Sequence, residues 1–278
     1  MRDAAGRVAA GPIALLETQA YAVEAAHGAA AILEQVLGVS GDSWRLWADE
    51  LAGQVRSTFW VRNSQQPYLA MALDGQGRRV DGVGSNMGHA LGTGLLTPAE
   101  ERAVASRLVE PDLLGPLGIG TLSQNNPAYN PLGYHTGSVW THDTAIAAWG
   151  LARTGHGAYA ARALRALVDV AAASDHRWPE LLSAEPVLDR PAPYPASCRP
   201  QAWAAASVGF LISALLGLTA DAPAGRLLVA PLREAPFGAL RVEGLRFAGQ
   251  SVRIEVDHAG RVVDVEGPVE VRAATASP

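Results

Sequence analysis

Apolar positions recur with helical spacing through most of the first 220 residues. The clearest stripe is Trp44, Trp47, Leu51, Val55 and Phe59, in which apolar side chains return every three or four residues. The same period predicts further helices. We place the helices at residues 11–37, about 42–62, about 85–95, 98–109, 140–153, 159–173 and 199–218.

Residues at the ends of these segments support several of the predicted helices. Pro12 suits the first turn of the first helix, and Gly38 suits the position just past its end. Thr97 followed by Glu100 has the form of a capping box before the 98–109 helix. Local residues and hydrophobic period therefore predict the same helix starts and stops.

Two segments depart from the helical period. Residues 110–139 are rich in Gly, Pro, Asn, Tyr and Ser, and an irregular segment of this length inside a compact domain is usually functional or disordered. After Pro223 the pattern changes to short alternating runs, which predict a small antiparallel β appendage with a hairpin turn at 258–260. The runs lie at 226–230, 239–242, 245–247, 251–256 and 262–266.

We therefore predict a mainly α protein with a helical domain at 1–222 and the β appendage at 223–278. Helix pairs joined by large loops favour an α/α toroid. A complete toroid of six helical hairpins needs more helices than the roughly seven predicted, so only part of a toroid is expected.

Composition excludes several classes of function. The formal net charge is −5 and every basic residue is an arginine, so the basic stripe of a nucleic-acid-binding protein is not expected. Cys198 is the single cysteine, which rules out an intrachain disulfide and favours a cytoplasmic location. Residues 202–220 are uncharged, but they are rich in Ala, Gly and Ser, so a buried helix is favoured over a membrane span.

The strongest chemical signal is a carboxylate between aromatic and proline residues. Glu180 follows Trp178 and Pro179, in a chain of which only 18% is charged. We predict that Pro179 fixes the approach of this loop and that Trp178 shields the carboxylate and raises its basicity. The alternative is a surface acid beyond a helix end, with Glu185 or Asp189 as the functional carboxylate.

A second candidate segment, residues 133–143, combines flat rings with polar groups. Tyr134 and Trp140 offer faces for a pyranose ring, while His135, His142 and Asp143 offer hydrogen-bond donors and acceptors. The alternative is a capped helix start with Trp140 in the core. The spacing fits no common zinc pattern, so neither a metal nor a cofactor is expected.

Three more segments carry candidate substrate contacts. Within 193–203, Arg199 and Gln201 stand at a predicted helix start with Trp203 after them; alternatively, Arg199 only caps the helix and pairs with an acid. Asn86 and His89 are three residues apart, so a short helix would present both on one side, unless they serve as caps. Glu17 interrupts an apolar helix face and is either a sugar contact or a buried, paired acid.

These segments resemble, in order, motifs of the amylo-α-1,6-glucosidase (glycogen-debranching) family of glycoside hydrolases. The family patterns are G-P-I-A-L-x-E-x-Q-x-Y at 11–21, S-N-x-G-H at 85–89, Y-H-x-G-S-V-W-P-H-D at 134–143, P-E-L at 179–181 and P-Y-P-x-S-C-x-P-Q-A-W at 193–203. Thr141 replaces the usual proline of the third motif. The resemblance implies a six-hairpin toroid that hydrolyses α-1,6-glucosidic branch bonds with inversion, with Glu180 as general base.

The same resemblance implies that one catalytic group is missing from this chain. The family's proposed general acid is an aspartate in a W-K-D-S segment just before the first motif, and no Trp-Lys-Asp occurs here. We therefore expect the acid to lie upstream of Met1, and we expect this chain alone to be inactive, to expose an apolar edge and to self-associate.

Two other functions remain open at the sequence level. The chain could be a non-catalytic glucan-binding remnant, or a different α/α-toroid glycosidase that acts on trehalose or small glucosides. In each case the expected partner is a glucan or oligosaccharide; the missing amino-terminal part of the enzyme is a further partner in the first interpretation.

Overall fold

The computed structural model describes residues 1–62, 64–192 and 194–272. Pro193 of the fifth motif and the last residues of the predicted appendage, 273–278, lie outside the described residues. A short 3₁₀ helix covers Ser85–Ala90. The α-helices are α1 (Leu16–Leu37), α2 (Asp42–Thr58), α3 (Pro98–Leu108), α4 (Thr141–Arg153), α5 (Gly157–Ala172) and α6 (Ala202–Leu216).

Short strands connect the helices, and longer strands follow them. The short strands are β1 (Ala14–Leu15), β2 (Trp60–Val61), β3 (Tyr68–Leu69), β4 (Ala72–Leu73), β5 (Arg79–Val80), β6 (Leu114–Gly115), β7 (Gly118–Ile119), β8 (Val139–Trp140) and β9 (Leu181–Leu182). The later strands are β10 (Thr219–Asp221), β11 (Arg226–Val229), β12 (Leu240–Phe247), β13 (Gln250–Val256), β14 (Val262–Glu266) and β15 (Val269–Val271).

Strand pairing shortens two of the predicted helices. The first helix begins at Leu16 rather than near Pro12, because β1 pairs with β4 just before it. The second helix ends at Thr58, ahead of β2, which pairs with β3. In both places cross-strand hydrogen bonds replace the helical bonds that periodicity alone predicts.

Two helix ends follow the sequence signals, and one predicted helix is much shorter. Thr97 accepts a hydrogen bond from the backbone N–H of Glu100, whose side chain accepts one from the N–H of Thr97, so the capping box is confirmed. Gly38 ends α1 in the left-handed conformation, as expected. The helix predicted at 85–95 is a 3₁₀ helix that stops at Ala90, because Gly92 and Gly94 adopt positive φ.

Helix α4 occupies the centre of the helical part and packs against α5, α6 and the 3₁₀ helix. Its buried face is built from small residues, which permits close approach. A Cβ added to Gly88 of the 3₁₀ helix would stand 2.7 Å from the Cβ of Ala147. This contact fixes the 3₁₀ helix, which carries Asn86 and His89, against the middle of α4.

A single strand pair brings the two strongest sequence signals together. β8 pairs with β9 so that Trp140 stands opposite Leu181. Trp140 belongs to the 133–143 segment, while Leu181 directly follows Glu180. Segments about forty residues apart in sequence therefore meet at one end of α4.

The appendage contains two three-stranded sheets. The sheet β12-β13-β14 is antiparallel, and a register shift between Val242 and Leu245 joins two of the predicted runs into one strand. In the other sheet β11 pairs with β15 in parallel, so the expectation of a purely antiparallel appendage is wrong. A tight hairpin would make neighbouring strands antiparallel. Here the chain between β11 and β15 passes through the whole of the other sheet, so β15 can lie parallel to β11 at its open edge. The predicted turn is present, with the N–H of Asp257 bonded to the C=O of Arg261.

The last turn of α6 enters the core of the appendage. Leu216 packs in one cluster with Val229, Val252 and Ile254. The carbonyls of Leu215 and Leu216 accept hydrogen bonds of 3.0 Å from the N–H groups of Leu232 and Ala230. The domain boundary between residues 222 and 223 stays a prediction, because α6 packs both in the core of the helical part and in the core of the appendage.

Within the described ranges, no helix is both long and apolar enough to cross a membrane.

Candidate active site

A cavity of about 580 Å³ opens between α1, the 3₁₀ helix, the start of α4 and the start of α6. Most of the substrate-binding residues predicted from sequence line this cavity. They are Glu17, Asn86, His89, Tyr134, His135, Trp140, His142, Asp143 and Trp203. The fold therefore gathers four of the five motifs around one space.

A hydrogen-bonded chain of three side chains, two of them buried, forms one wall of the cavity. The Tyr21 hydroxyl bonds to Nδ1 of His89, and Nε2 of His89 bonds to Oδ1 of Asp143. Burial works against both charges, but the mutual interaction prevails: it lowers the pKa of Asp143 and raises the pKa of His89. Each of the two groups therefore stabilises the charged form of the other.

Glu17 lies in the first turn of α1 and faces the same cavity. Its Oε1 accepts a 3.0 Å hydrogen bond from Nδ2 of Asn86. Its Oε2 is buried and has no hydrogen-bond partner within the described part of the chain. Burial raises the pKa of this carboxyl, and the nearby negative charge of Asp143 adds to the effect. The sequence left open that Glu17 is a buried, paired acid. Only Oε1 is paired in this way, and Oε2 is not.

Two imidazoles stack on the two tryptophans of the cavity. The rings of His135 and Trp140 lie 5.2 Å apart and within 8° of parallel. The rings of His142 and Trp203 lie 4.6 Å apart and within 19° of parallel. Burial lowers the pKa of both His135 and His142, which keeps them uncharged near neutral pH. The two stacked pairs are inclined to each other, with the planes of Trp140 and Trp203 67° apart. They form an angled, largely apolar surface with polar edges, against which a pyranose ring can stack.

Glu180 is buried at the edge of the cavity, behind Tyr134. The Tyr134 hydroxyl donates a 2.8 Å hydrogen bond to Oε1, and the backbone N–H of Cys198 donates a 3.2 Å bond to Oε2. Burial raises the pKa of Glu180, but these bonds and one from the Gln201 side chain outweigh it, and the pKa falls below its usual value. The carboxylate is therefore held ionised and oriented.

The local sequence explains this orientation. Glu180 directly precedes β9, and its backbone N–H bonds to the Cys198 carbonyl at 3.1 Å. The Ser197 hydroxyl bridges the N–H and C=O of Leu181. The segment before α6 thus holds the backbone on both sides of the carboxylate.

Three sequence expectations need correction. Trp178 lies in the core, where its indole N–H donates to the Leu167 carbonyl at 2.7 Å, so it does not line the cavity. The environment of Glu180 lowers its pKa, whereas a shielding Trp178 was expected to raise it, because donors and not apolar rings surround its oxygens. Arg199 points away and pairs with Asp175 at 3.1 Å, as the alternative interpretation proposed.

Other predicted groups are near the site but outside the cavity lining. Gln201 contacts Glu180, so it supports the carboxylate. Glu185 accepts a 3.3 Å bond from the Tyr129 hydroxyl. Among the described residues, no group of three or more His, Cys, Asp or Glu side chains is arranged to hold a metal ion.

Sequence reasoning missed Tyr21, which lines the cavity and bonds to His89. Its position four residues after Glu17 on a helix was the available signal, because side chains at that spacing share one face. Ser85 and Thr121 also line the cavity. Ser85 is the first residue of the motif at 85–89 but was not predicted as a contact, and no pattern in the sequence distinguishes Thr121 from other hydroxyl residues.

Comparison with solved structures identifies the fold as that of the six-hairpin glycosidases. An uncharacterized conserved protein from Thermus thermophilus matches with a TM-score of 0.59 at 16% identity, over 72% of this chain and 47% of that one. The GH63 mannosylglycerate hydrolase of the same organism, in complex with Tris, gives 0.58 at 16% identity, over 72% and 46%. Neutral trehalase Nth1 from Saccharomyces cerevisiae gives 0.54 at 12% identity, over 76% and 39%.

The chain thus spans less than half the length of each of these structures. Residues 3–180 match the model of the mannosylglycerate hydrolase MGH1-like glycoside hydrolase domain, so the chain belongs to that family. The match ends at Glu180. No curated protein sequence matches significantly. The narrower resemblance to debranching enzymes stays a prediction.

Proposed function

We propose that this chain contributes the water-activating half of a glycosidase site that hydrolyses α-glucosidic bonds with inversion. The observation that carries the proposal is the position of Glu180, ionised and fixed beside a cavity lined by stacked aromatic and imidazole rings. An inverting glycosidase needs a carboxylate base that takes a proton from water as the water attacks the anomeric carbon. The α-1,6 branch bond is the linkage that the motif resemblance supports.

The leaving oxygen needs a proton from a second group. Asp143 is unsuited to this task, because its bond to His89 holds it ionised. The base role of Glu180 can be tested without settling which group supplies the proton.

α-D-Glucosyl fluoride separates water activation from acid catalysis, because fluoride departs with little need of a proton. We expect the chain to convert it to β-glucose. Glu180→Gln should lower the rate by at least about 10²-fold, the usual contribution of a general base. Proton NMR of fresh hydrolysate reports both rate and anomer.

Glu185→Gln is the matched control, since Glu185 is exposed and was the alternative carboxylate. Its rate should equal that of the unchanged chain. An equal loss in both variants, or α-glucose as the first product, would contradict the proposal. No turnover, together with glucan binding that survives Glu180→Gln, would favour the non-catalytic glucan-binding function.

Substrate choice is tested separately with isomaltose, panose, trehalose and mannosylglycerate. The proposal expects the α-1,6-linked sugars to be preferred once a proton donor is present. Preference for trehalose would favour the other toroid glycosidase, and preference for mannosylglycerate would place this chain with the relative that carries that name.

A further inference from the structure

The α1 side of the cavity presents carboxylate oxygens that lack donors. Oε2 of Glu17 and Oδ2 of Asp143 are both buried and unbonded among the described residues, although the Ser85 hydroxyl lies beside Asp143 without good bonding geometry. Both side chains line the cavity. Ionised carboxylate oxygens only accept hydrogen bonds, so this wall is complementary to a ligand that donates them.

Cationic groups that would attract a ligand carboxylate are scarce on this wall. No arginine appears among the described residues that line the cavity. His89 has both ring nitrogens occupied, by Tyr21 and Asp143. His135 and His142 are kept uncharged by burial.

We infer that this cavity selects neutral, hydroxyl-rich ligands over ligands that carry a carboxylate, with Glu17 as the residue that makes the distinction. Glu17 accepts a hydrogen bond from a sugar hydroxyl and repels an anionic group placed at the same position. The last torsion of a glutamate side chain has a broad range of favourable angles, so the carboxyl group of Glu17 can adjust to a ligand hydroxyl. This inference rests on the proposed function only in taking the cavity as the sugar site.

The inference separates this chain from a glycosidase for glycerate-linked sugars. Carboxylate recognition in proteins typically uses the bidentate fork of an arginine. Here the wall carries the carboxylate of Glu17 beside the bonded pair of Asp143 and His89, and a second carboxylate at contact distance from Glu17 is repelled. A glycoside whose aglycone bears a carboxylate should therefore bind poorly beside Glu17.

Matched ligand pairs test the inference by calorimetry or saturation-transfer NMR. Glucose and glucuronate differ by one carboxylate, as do glycerol and glycerate. We expect glucose to bind at least about tenfold more tightly than glucuronate. Equal binding of the two sugars, or binding of neither, would overturn the inference.

The variant Glu17→Gln tests whether Glu17 is the residue that causes the preference for glucose over glucuronate. The amide keeps an oxygen for Asn86 but loses the charge, so glucose binding should weaken and the preference over glucuronate should narrow several-fold. Glu50→Gln, an exposed change on α2, should leave both unchanged. If the preference survives Glu17→Gln in a variant that melts like the parent chain, Glu17 is not the selecting residue.

These measurements need no turnover, so they are independent of the glucosyl fluoride assay. A glucose preference without hydrolysis would retain the inference and remove the catalytic proposal. Hydrolysis of glucosyl fluoride together with equal binding of glucose and glucuronate would retain the catalytic proposal and remove the inference.

Discussion

At the scale of single residues, Tyr134 connects the cavity with the carboxylate behind it. Its ring lines the cavity and makes edge contacts with His135 and Trp140. Its hydroxyl donates to Glu180, and its backbone carbonyl accepts from the Trp140 indole at 2.9 Å. One side chain therefore shapes the aromatic surface and sets the acidity of the candidate base.

Tyr134→Phe should shift the pH dependence of glucosyl fluoride hydrolysis. Loss of the hydroxyl removes a bond to the charged form of Glu180, so the carboxyl pKa should rise. A base works only when ionised, so the acidic limb of the rate profile should move to higher pH. The shift should be about one pH unit, the effect of losing one hydrogen bond to a charged group.

Tyr129→Phe is the control for this prediction. Tyr129 also donates to a glutamate, Glu185, but it does not line the cavity. Its pH profile should match that of the unchanged chain. If Tyr134→Phe lowers the maximal rate but leaves the midpoint pH of the acidic limb unchanged, the hydroxyl does not set the pKa of Glu180.

At the scale of elements, the capping box at Thr97 is the clearest case in which sequence dictates a helix end. The side chain of each residue, Thr97 and Glu100, accepts a hydrogen bond from the backbone N–H of the other. Pro98 lies in the first turn, where its missing N–H costs no helical hydrogen bond. Thr97→Ala should lower the free energy of unfolding by about 1 kcal/mol. The melting temperature should fall by about 2–4 °C, measured by circular dichroism.

Ser57→Ala provides the comparison, because Ser57 is exposed and its hydroxyl bonds only to the Gln54 carbonyl of its own helix. Its melting temperature should change little. Equal shifts for the two variants would mean that the capping box contributes nothing beyond an ordinary exposed hydroxyl.

Helices were easier to predict from sequence than the contacts of individual site residues. The stripe through Trp44 and Phe59 and the cap at Thr97 are local patterns, so they predicted α2 and α3 within a few residues. The side-chain direction of Trp178 depends on where α5 passes, which no local pattern encodes. The pairing of β8 with β9 is likewise non-local, so the contact of Tyr134 with Glu180 emerged only from the structure.

At the scale of the whole molecule, the hairpin of α1 and α2 carries a large exposed apolar surface. Its exposed side chains include Ile32, Val36, Leu37, Val39 and Trp47, of which Val36 is 70% exposed. Exposed apolar patches of this kind mark interaction surfaces or cause association. The chain spans less than half the length of each solved structure named above.

Val36→Glu should reduce self-association of the chain. A charge in the centre of this patch disfavours its burial against another copy, so the mass from light scattering should fall toward that of a monomer. Val263→Glu introduces the same charge on β14, where Val263 is 60% exposed, and should leave the mass unchanged. A monomeric parent chain would contradict the prediction.

Helix α6 joins the cavity to the β appendage in a way that links their energetics. Trp203 in its first turn stacks on His142, and Leu216 at its end lies in the core of the appendage. The helix has 15 residues, a rod of about 22 Å. A ligand seated on Trp203 therefore restrains one end of a rod whose other end is part of a folded sheet.

By thermodynamic linkage, whatever loosens the appendage also weakens ligand binding, and ligand binding slows local opening of the appendage. Substitutions around Val252 and Ile254 can thus change affinity without touching the sugar. The appendage lies beyond residues 3–180, the segment that the family model matches, so residues outside that segment can adjust the affinity of this chain.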